Sequence, residues 1–311
     1  MRPDGALHIV SVSIGSTTRD KTVEAEFGGR KVLIERRGTN GDLKAARELM
    51  AQLDGKVDAF GMGGTDLYLF AAGRRYTLAD SARIASGAKQ TPVLDGSGLK
   101  RTLEPAAIER LAASGELDLR GKKVLLVSAV DRFGMAEAIA AHTDQFVFGD
   151  MMFSMGINYP IRSMKTLARL AKLLLPVICH VPFKYLYPIG EKQNEITPKY
   201  RQWYDWADVI AGDFLFIRRF LPLPEGLPLA GKAVLTNTTT AEDVELLRER
   251  GLSTLVTTTP VFDGRSFGTN VLEAVLTALA GSRERLSEQA MLQQLEEWGW
   301  TPSVTRLETP Q

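Results

Sequence analysis

From Lys123 onward the chain alternates short apolar runs with stretches of helical spacing, and this alternation constrains the fold more than any other feature. Lys123 to Val130 carries Val124-Leu125-Leu126-Val127, the composition of a strand buried on both faces. Phe133 to His142 has helical spacing, Gln145 to Phe148 reads as a strand, and a long helical stretch begins near Ile161. Val209 to Ala211, Ala233 to Thr236 and Thr254 to Thr258 read as further strands. Ala241 to Arg250 and Gly268 to Leu279 read as helices. Strands separated by helices require right-handed crossovers and a parallel sheet.

The first part of the chain is also mixed. Ala6 to Ile14 is a predicted strand, and Thr22 to Phe27 and Lys31 to Arg36 flank Gly28-Gly29, a pair suited to a hairpin turn at positive φ. Leu43, Ala46, Leu49 and Met50 share one face of a predicted helix over Asp42 to Leu53. Short strands at Val57 to Phe60 and Thr91 to Leu94 flank a helix near Leu78 to Ala88, and another helical region reaches Ala113. The polar stretch Gly115 to Lys122 reads as a junction. The expected fold is therefore α/β with two domains. An α/β substrate-type domain spans residues 1–115, a Rossmann-like parallel sheet with helices on both faces spans 116–281, and a helical tail spans 282–311.

A net charge of +1 over 311 residues gives no broad pull toward nucleic acid. No segment approaches the ~18 uninterrupted apolar residues of a membrane-spanning helix. The lone cysteine, Cys179, cannot form an intrachain disulfide, which favours a reducing, cytoplasmic setting. His8, His142 and His180 lack metal-ligand spacing, so no metal is expected. The expected partner is a small-molecule ligand, and self-association into a homo-oligomer stays open.

In open α/β sheets, ligands bind beyond the carboxyl ends of the strands. Ser128, Asp131, Arg132 and Gly134 follow the strongest predicted strand, where a dinucleotide loop would lie, although only Gly134 supplies a glycine. Asp150 lies beyond the next strand, at about the 20-residue spacing of a ribose-binding acid, which would favour NAD over NADP. Phe148-Gly149-Asp150 is echoed by Ala211-Gly212-Asp213 and, more loosely, by Gly64-Thr65-Asp66. These aspartates could frame a ligand or simply cap helices. Thr236, Asn237 and Thr238 end one strand and Thr257-Thr258-Thr259 another, both on the predicted rim. Arg265, before the last strong helix, is a candidate carboxylate or phosphate clamp.

Arg162, Lys165, Arg169 and Lys172 form one basic helical face, with Pro176 expected to break the helix. Such a face can lie on a membrane, but its ordinary role is a solvated surface over a buried one, and no membrane contact is expected. His180 and Lys184, with Tyr185 and Tyr187, could form a lid carrying an acid or base.

Asp95-Gly96-Ser97-Gly98-Leu99-Lys100-Arg101-Thr102-Leu103 resembles the Asp-Gly-x-Gly element that opens a helix in the shikimate/quinate dehydrogenase family. Ser11-Val12-Ser13 resembles that family's Ser-x-Ser substrate element, and Asn237-Thr238-Thr239 its Asn-Ala-Thr strand end. More broadly the chain resembles a group of bacterial proteins labelled quinate 5-dehydrogenase. The resemblance implies an NAD-dependent oxidoreductase acting on a small polyhydroxylated or carboxylated substrate. It makes Asp95 the first catalytic candidate and places substrate at Ser11 and Ser13; Lys184 and His180 of the lid stand behind Asp95, and Asp66 and Arg265 are further substrate candidates. The family's Asn-x-Thr-x-Pro-x-Lys lysine is missing, since Phe60 to Leu69 holds Asp66 near its place. The alternative expectation is a nucleotide- or anion-binding protein, non-catalytic or differently catalytic, that keeps a Rossmann-like fold.

Overall fold

The computed structural model describes residues 5–182, 195–262 and 265–308. The chain forms two compact units, one from Met1–Thr102, Leu174–Lys192 and Val261–Trp300, the other from Leu103–Leu173, Gln193–Pro260 and Thr301–Gln311.

In the first unit β1 (Leu7–Ser13), β2 (Lys21–Phe27) and β3 (Arg30–Gly38) precede α1 (Leu43–Leu53), β4 (Ala59–Gly63) and the hairpin β5 (Tyr68–Ala71) with β6 (Arg74–Thr77). Then come α2 (Ala79–Ala85), β7 (Val93–Leu94) and α3 (Ser97–Ser114). The sheet order is β2-β3-β1-β4-β7. Only β2 is antiparallel, because the turn after it holds Gly28 and Gly29 at φ 55 and 77, values that glycine adopts without cost. One face of this sheet packs Val10, Val12, Phe60 and Met62 against Ala46 and Met50 of α1 and Ile84 of α2.

The second unit holds β8 (Val124–Leu126), α4 (Phe133–His142), β9 (Phe146–Phe148), α5 (Met164–Ile178, which continues into the first unit), α6 (Arg201–Trp206) and β10 (Val209–Ala211). It continues with α7 (Phe214–Arg219), β11 (Ala233–Thr236), α8 (Ala241–Arg248) and β12 (Thr254–Thr257). The chain then returns to the first unit through β13 (Val261–Phe262), β14 (Arg265–Ser266), α9 (Thr269–Leu279) and α10 (Glu288–Glu297), and ends in β15 (Ser303–Arg306). The second sheet runs β15-β12-β11-β10-β8-β9, parallel except for β15. Val124, Leu125 and Leu126 are all fully buried, as a strand covered by helices on both faces requires.

The fold class is the expected Rossmann-like α/β, but the expected boundaries are not where the units divide. The division falls inside α3, and residues 261–300 belong with the first sheet, because α9 packs on β1, β4 and β7. Val271 to Ala278 are buried all round that helix, so it serves as core and not as a surface helix of the second sheet. The expected helical tail does hold α10, but beyond it the chain forms β15, whose neighbour Leu307 donates its N–H to the Ser253 carbonyl at 3.0 Å. Pro176 does not end α5, which runs two residues further; so near the terminus a missing N–H removes little of the ladder. Arg162, Lys165, Arg169 and Lys172 are exposed. No described helix is long and apolar enough to cross a membrane.

Leu125 sits in the core with Val147, Ile210, Val234 and Leu255. Leu125→Ala is expected to lose about 2–5 kcal/mol of stability through transfer and cavity terms, measured by urea unfolding. A loss below 1 kcal/mol would show that this strand is not the core of its unit.

Candidate ligand-binding rims

Parallel pairing puts the carboxyl ends of β1, β3, β4 and β7 on one rim of the first sheet. The chain leaves β1 for β3 on one side and later returns to β4 on the other, so the topological switch lies at the end of β1. Such a point opens a crevice in which ligands bind. Ser11 and Ser13 stand there. Ser11 Oγ accepts from Asn270 Nδ2 at 3.0 Å, at the start of α9. Ser13 Oγ accepts from Arg36 Nη2 at 3.0 Å and from the Gly15 N–H at 3.1 Å. Arg36 also donates to the Ser16 carbonyl at 2.9 Å and to Asp20 at 2.7 Å.

Asp66 follows β4 and pairs with Lys100 Nζ at 2.7 Å, with side-chain exposures of 16% and 11%. The sequence places no lysine near Asp66, yet the structure brings one from the first turns of α3. Asp66 is therefore neutralised by a cation and is not a bare carboxylate on the rim.

Asp95 has a different task from the catalytic one expected of it. Its carboxylate accepts from the N–H groups of Leu67 at 2.7 Å and Tyr68 at 2.8 Å, from Ser97 N at 3.2 Å and Ser97 Oγ at 2.7 Å, and from Arg285 Nη2. The side chain has no exposed surface. An acid so saturated holds the turn after β7 in place. Gly96 completes that turn at φ 84, and a Cβ there would lie 2.5 Å from Thr269 Oγ1. Arg285 also pairs through Nε with Glu273 at 2.6 Å and lies over the Tyr68 ring at 5.2 Å. Burial is the main cause that pushes the Glu273 carboxyl up to about 7, with Arg285 opposing it. Glu273 and Arg285 carry no motif and were not foreseen; they meet only because α9 and the segment after it fold back onto the first sheet.

In the second unit the chain passes from β8 to β9 on one side and then to β10 on the other, so the switch lies between β8 and β10. Asp150 and Asp213 do share the rim there, at the ends of parallel strands. Asp150 is not presented to a ribose. Its oxygens accept from the N–H groups of Ala129 at 3.0 Å and Val130 at 2.9 Å, the very groups that would cradle a pyrophosphate. Desolvation, only partly opposed by those two bonds, raises its pKa to about 6. Ser128 Oγ donates to Asp131 at 2.7 Å. Arg132 has no exposed side-chain surface and lies against Glu104 and, at 2.9 Å, Asp213, so it does not offset a phosphate charge at the surface. Gly134 is an ordinary residue in the first turn of α4. Asp213 caps α7 through Leu215 N at 2.9 Å. Asn237 Nδ2 donates to Asp213 at 3.1 Å, and buried Thr236 donates to the Gly212 carbonyl at 2.8 Å, so both tie adjacent strand ends together. Thr238 is half-buried on the same rim, and Thr240 forms a capping box with Asp243.

Of the remaining candidates, His180 is exposed, with Nδ1 2.9 Å from the Pro176 carbonyl, a bond to the end of its own helix and not to a site. Lys184 lies outside the described residues, as do Tyr185 and Tyr187. Arg265 belongs to β14, paired with Phe262, and does not open a helix, since α9 begins only at Thr269. Among the described residues no group of histidine, cysteine and acidic side chains could hold a metal ion.

Sheets, crossovers and rims together define a Rossmann-like α/β protein. Residues 98–307 match the family described as Domain of unknown function (DUF8754), and the chain belongs to that family. Residues 8–95 match a second one, Domain of unknown function (DUF8753). No curated protein matches the chain. Among solved structures it is similar to an ABC transporter solute-binding protein from Burkholderia graminis C4D1M in complex with D-arabinose, at 8% identity and TM-score 0.41, over 98% of this chain and 97% of that one. It is also similar to the Entamoeba histolytica malic enzyme, at 10% identity and TM-score 0.42, over 95% of this chain but 64% of that one, less than two thirds of its length. The NAD-dependent malic enzyme from Thermotoga maritima follows at 12% identity and TM-score 0.37, over 93% of this chain and 72% of that one. At these levels the likenesses say nothing of what this chain binds.

Asp150 titrates near 6 when folded against 3.8 for an ordinary aspartate. The folded state therefore holds the extra proton between those values, and this group's contribution to stability falls as pH rises through that window. Asp150→Asn keeps an oxygen for the Ala129 and Val130 amides but cannot titrate. Its urea midpoint is expected to lose that part of the fall and to match or exceed the parent's above about pH 6. Parallel pH profiles for the two proteins would contradict the desolvated placement of Asp150.

Proposed function

We propose that this chain binds a small polyhydroxylated or carboxylated molecule at the carboxyl-end rim of its first sheet. The observation that carries the proposal is the Lys100–Asp66 pair at 2.7 Å, partly exposed on the rim that also holds the Asn270–Ser11 and Arg36–Ser13 contacts. A hydroxyl both donates and accepts. This rim supplies cationic and amide donors (Lys100, Arg36, Asn270) beside carboxylate and hydroxyl acceptors (Asp66, Ser11, Ser13), a mixture that suits hydroxyls better than an apolar ligand. Isothermal calorimetry with quinate and shikimate tests this. Saturable binding is expected, weakened about tenfold, or about 1.4 kcal/mol, by Lys100→Met and less by Ser11→Ala. Binding that survives both substitutions unchanged would move the site elsewhere.

A second reading is the NAD-dependent dehydrogenase that the sequence resemblance implies. What favours it is Lys100, which places a lysine beside an acid where the linear motif has none, so that a proton could be passed to or from a carbinol oxygen. What weighs against it is the β8–α4 turn, whose amides Asp150 already holds and whose surroundings carry Asp131 and Asp213 where a pyrophosphate would lie. With NAD or NADP and either quinate or shikimate, turnover is expected to stay far below an ordinary enzyme rate of about 10 per second, followed by absorbance of the reduced cofactor. Turnover at that rate, lost in Lys100→Met, would establish the dehydrogenase instead.

A further inference from the structure

The end of β1 gathers more positive charge than the contacts above pair: Arg36 is tied to Ser13, Ser16 and Asp20, and Arg19 stands beside it. A Cβ on Gly15 would lie 3.0 Å from Arg36 Nη2, 3.2 Å from Arg19 Nη2 and 3.3 Å from Ser13 Oγ. Two guanidinium groups and a hydroxyl thus converge on one bare stretch of backbone. Lys21 stands directly opposite Arg36 in the β2–β3 ladder, a cross-strand pairing of like charges that destabilises a sheet. Asp20 is the acid here, and it is fixed on the other nitrogen of Arg36, at 2.7 Å from Nη1, while also accepting from the Gly38 N–H at 2.6 Å. Arg19 is exposed, and no acid pairs with it among the described residues. Desolvation, followed by the nearby Arg19 charge, lowers the pKa of Arg36. Two guanidinium groups beside one acid, with Lys21 on the neighbouring strand, make an excess of positive charge that a doubly charged anion would relieve.

We propose that Arg19 and Arg36, with the Ser13 hydroxyl, form a seat for a phosphoryl group, so that the small molecule bound on this rim is a phosphorylated one. The inference rests on the reading of the first rim as the ligand site. Guanidinium groups bind phosphate oxygens through paired, charge-assisted hydrogen bonds, and two of them match a dianion where one suffices for a carboxylate. Gly15 keeps the space open, since any side chain there would press against all three donors.

The test is calorimetry of the full chain with inorganic phosphate, and separately with acetate and sulfate, at constant ionic strength. Phosphate is expected to bind saturably and at least tenfold more tightly than acetate. Arg19→Gln, an exposed change that leaves the Arg36 contacts to Ser13, Ser16 and Asp20 in place, is expected to weaken it about tenfold. Arg36→Lys, which keeps the charge but loses the paired geometry, should weaken it as well, with the near-ultraviolet circular dichroism spectrum unchanged. Acetate bound as tightly as phosphate, or phosphate bound equally by the parent and Arg19→Gln, would overturn the proposal. The two readings fail separately. Loss of phosphate binding in Arg19→Gln while Lys100→Met leaves quinate binding intact would refute the hydroxyl site and keep the phosphoryl seat. The reverse pattern would refute the seat alone.

Discussion

Parallel strand pairing is the constraint on which the rest of this structure depends. It forces each connection between parallel strands to cross over, and it delivers the carboxyl ends of β1, β3, β4 and β7 to one rim and those of β8 to β12 to another. Polar loops collect on those rims because main-chain groups beyond the last ladder bond need partners. The aspartates of the chain supply them. Asp95 takes the amides of Leu67 and Tyr68, Asp150 those of Ala129 and Val130, and Asp213 that of Leu215. Residues of a type that suggests catalysis are thus consumed in holding loops in place.

Charge compensation separates the two rims. In the second unit Arg132 is sealed among Glu104, Asp131 and Asp213, so its charge is spent on those acids and not presented at the switch. In the first, the Asp66 carboxylate is offset by Lys100, and the arginines near Ser13 outnumber the acid beside them. The buried carboxylates of Asp95 and Glu273, held by the partly exposed Arg285, stand under that rim as support, with two carboxylates sharing one guanidinium and Glu273 displaced toward neutral pH.

The linear sequence revealed much of the scaffold and little of the chemistry. The apolar run at Val124 to Val127, the Gly28-Gly29 turn and the strand–helix alternation all appear in the structure where their spacing put them. The repeated Gly-Asp pairs did mark one rim, since Asp150 and Asp213 both follow parallel strands. Their orientation was not legible, because an aspartate that caps an amide and one that faces a ligand have the same residue type and the same position after a strand. Arg36 stood at the end of a predicted strand and could have been flagged by the strand-end rule. Glu104, Glu273 and Arg285 gave no signal, for they sit in ordinary helical or loop sequence.

Periodicity by itself determined that this chain forms parallel sheets joined by helices, because short apolar runs and helical spacing are local properties of consecutive residues. Tertiary structure alone decided which unit owns α9, that residues 303–306 close the second sheet as a strand, and which charges meet. Lys100 reaches Asp66, Arg285 reaches Asp95 and Asn270 reaches Ser11 across 34, 190 and 259 positions of sequence. Such pairs are fixed by the return of the chain to the first sheet, whose drive is burial of the apolar α9, and that drive carries no information about which polar groups it brings along.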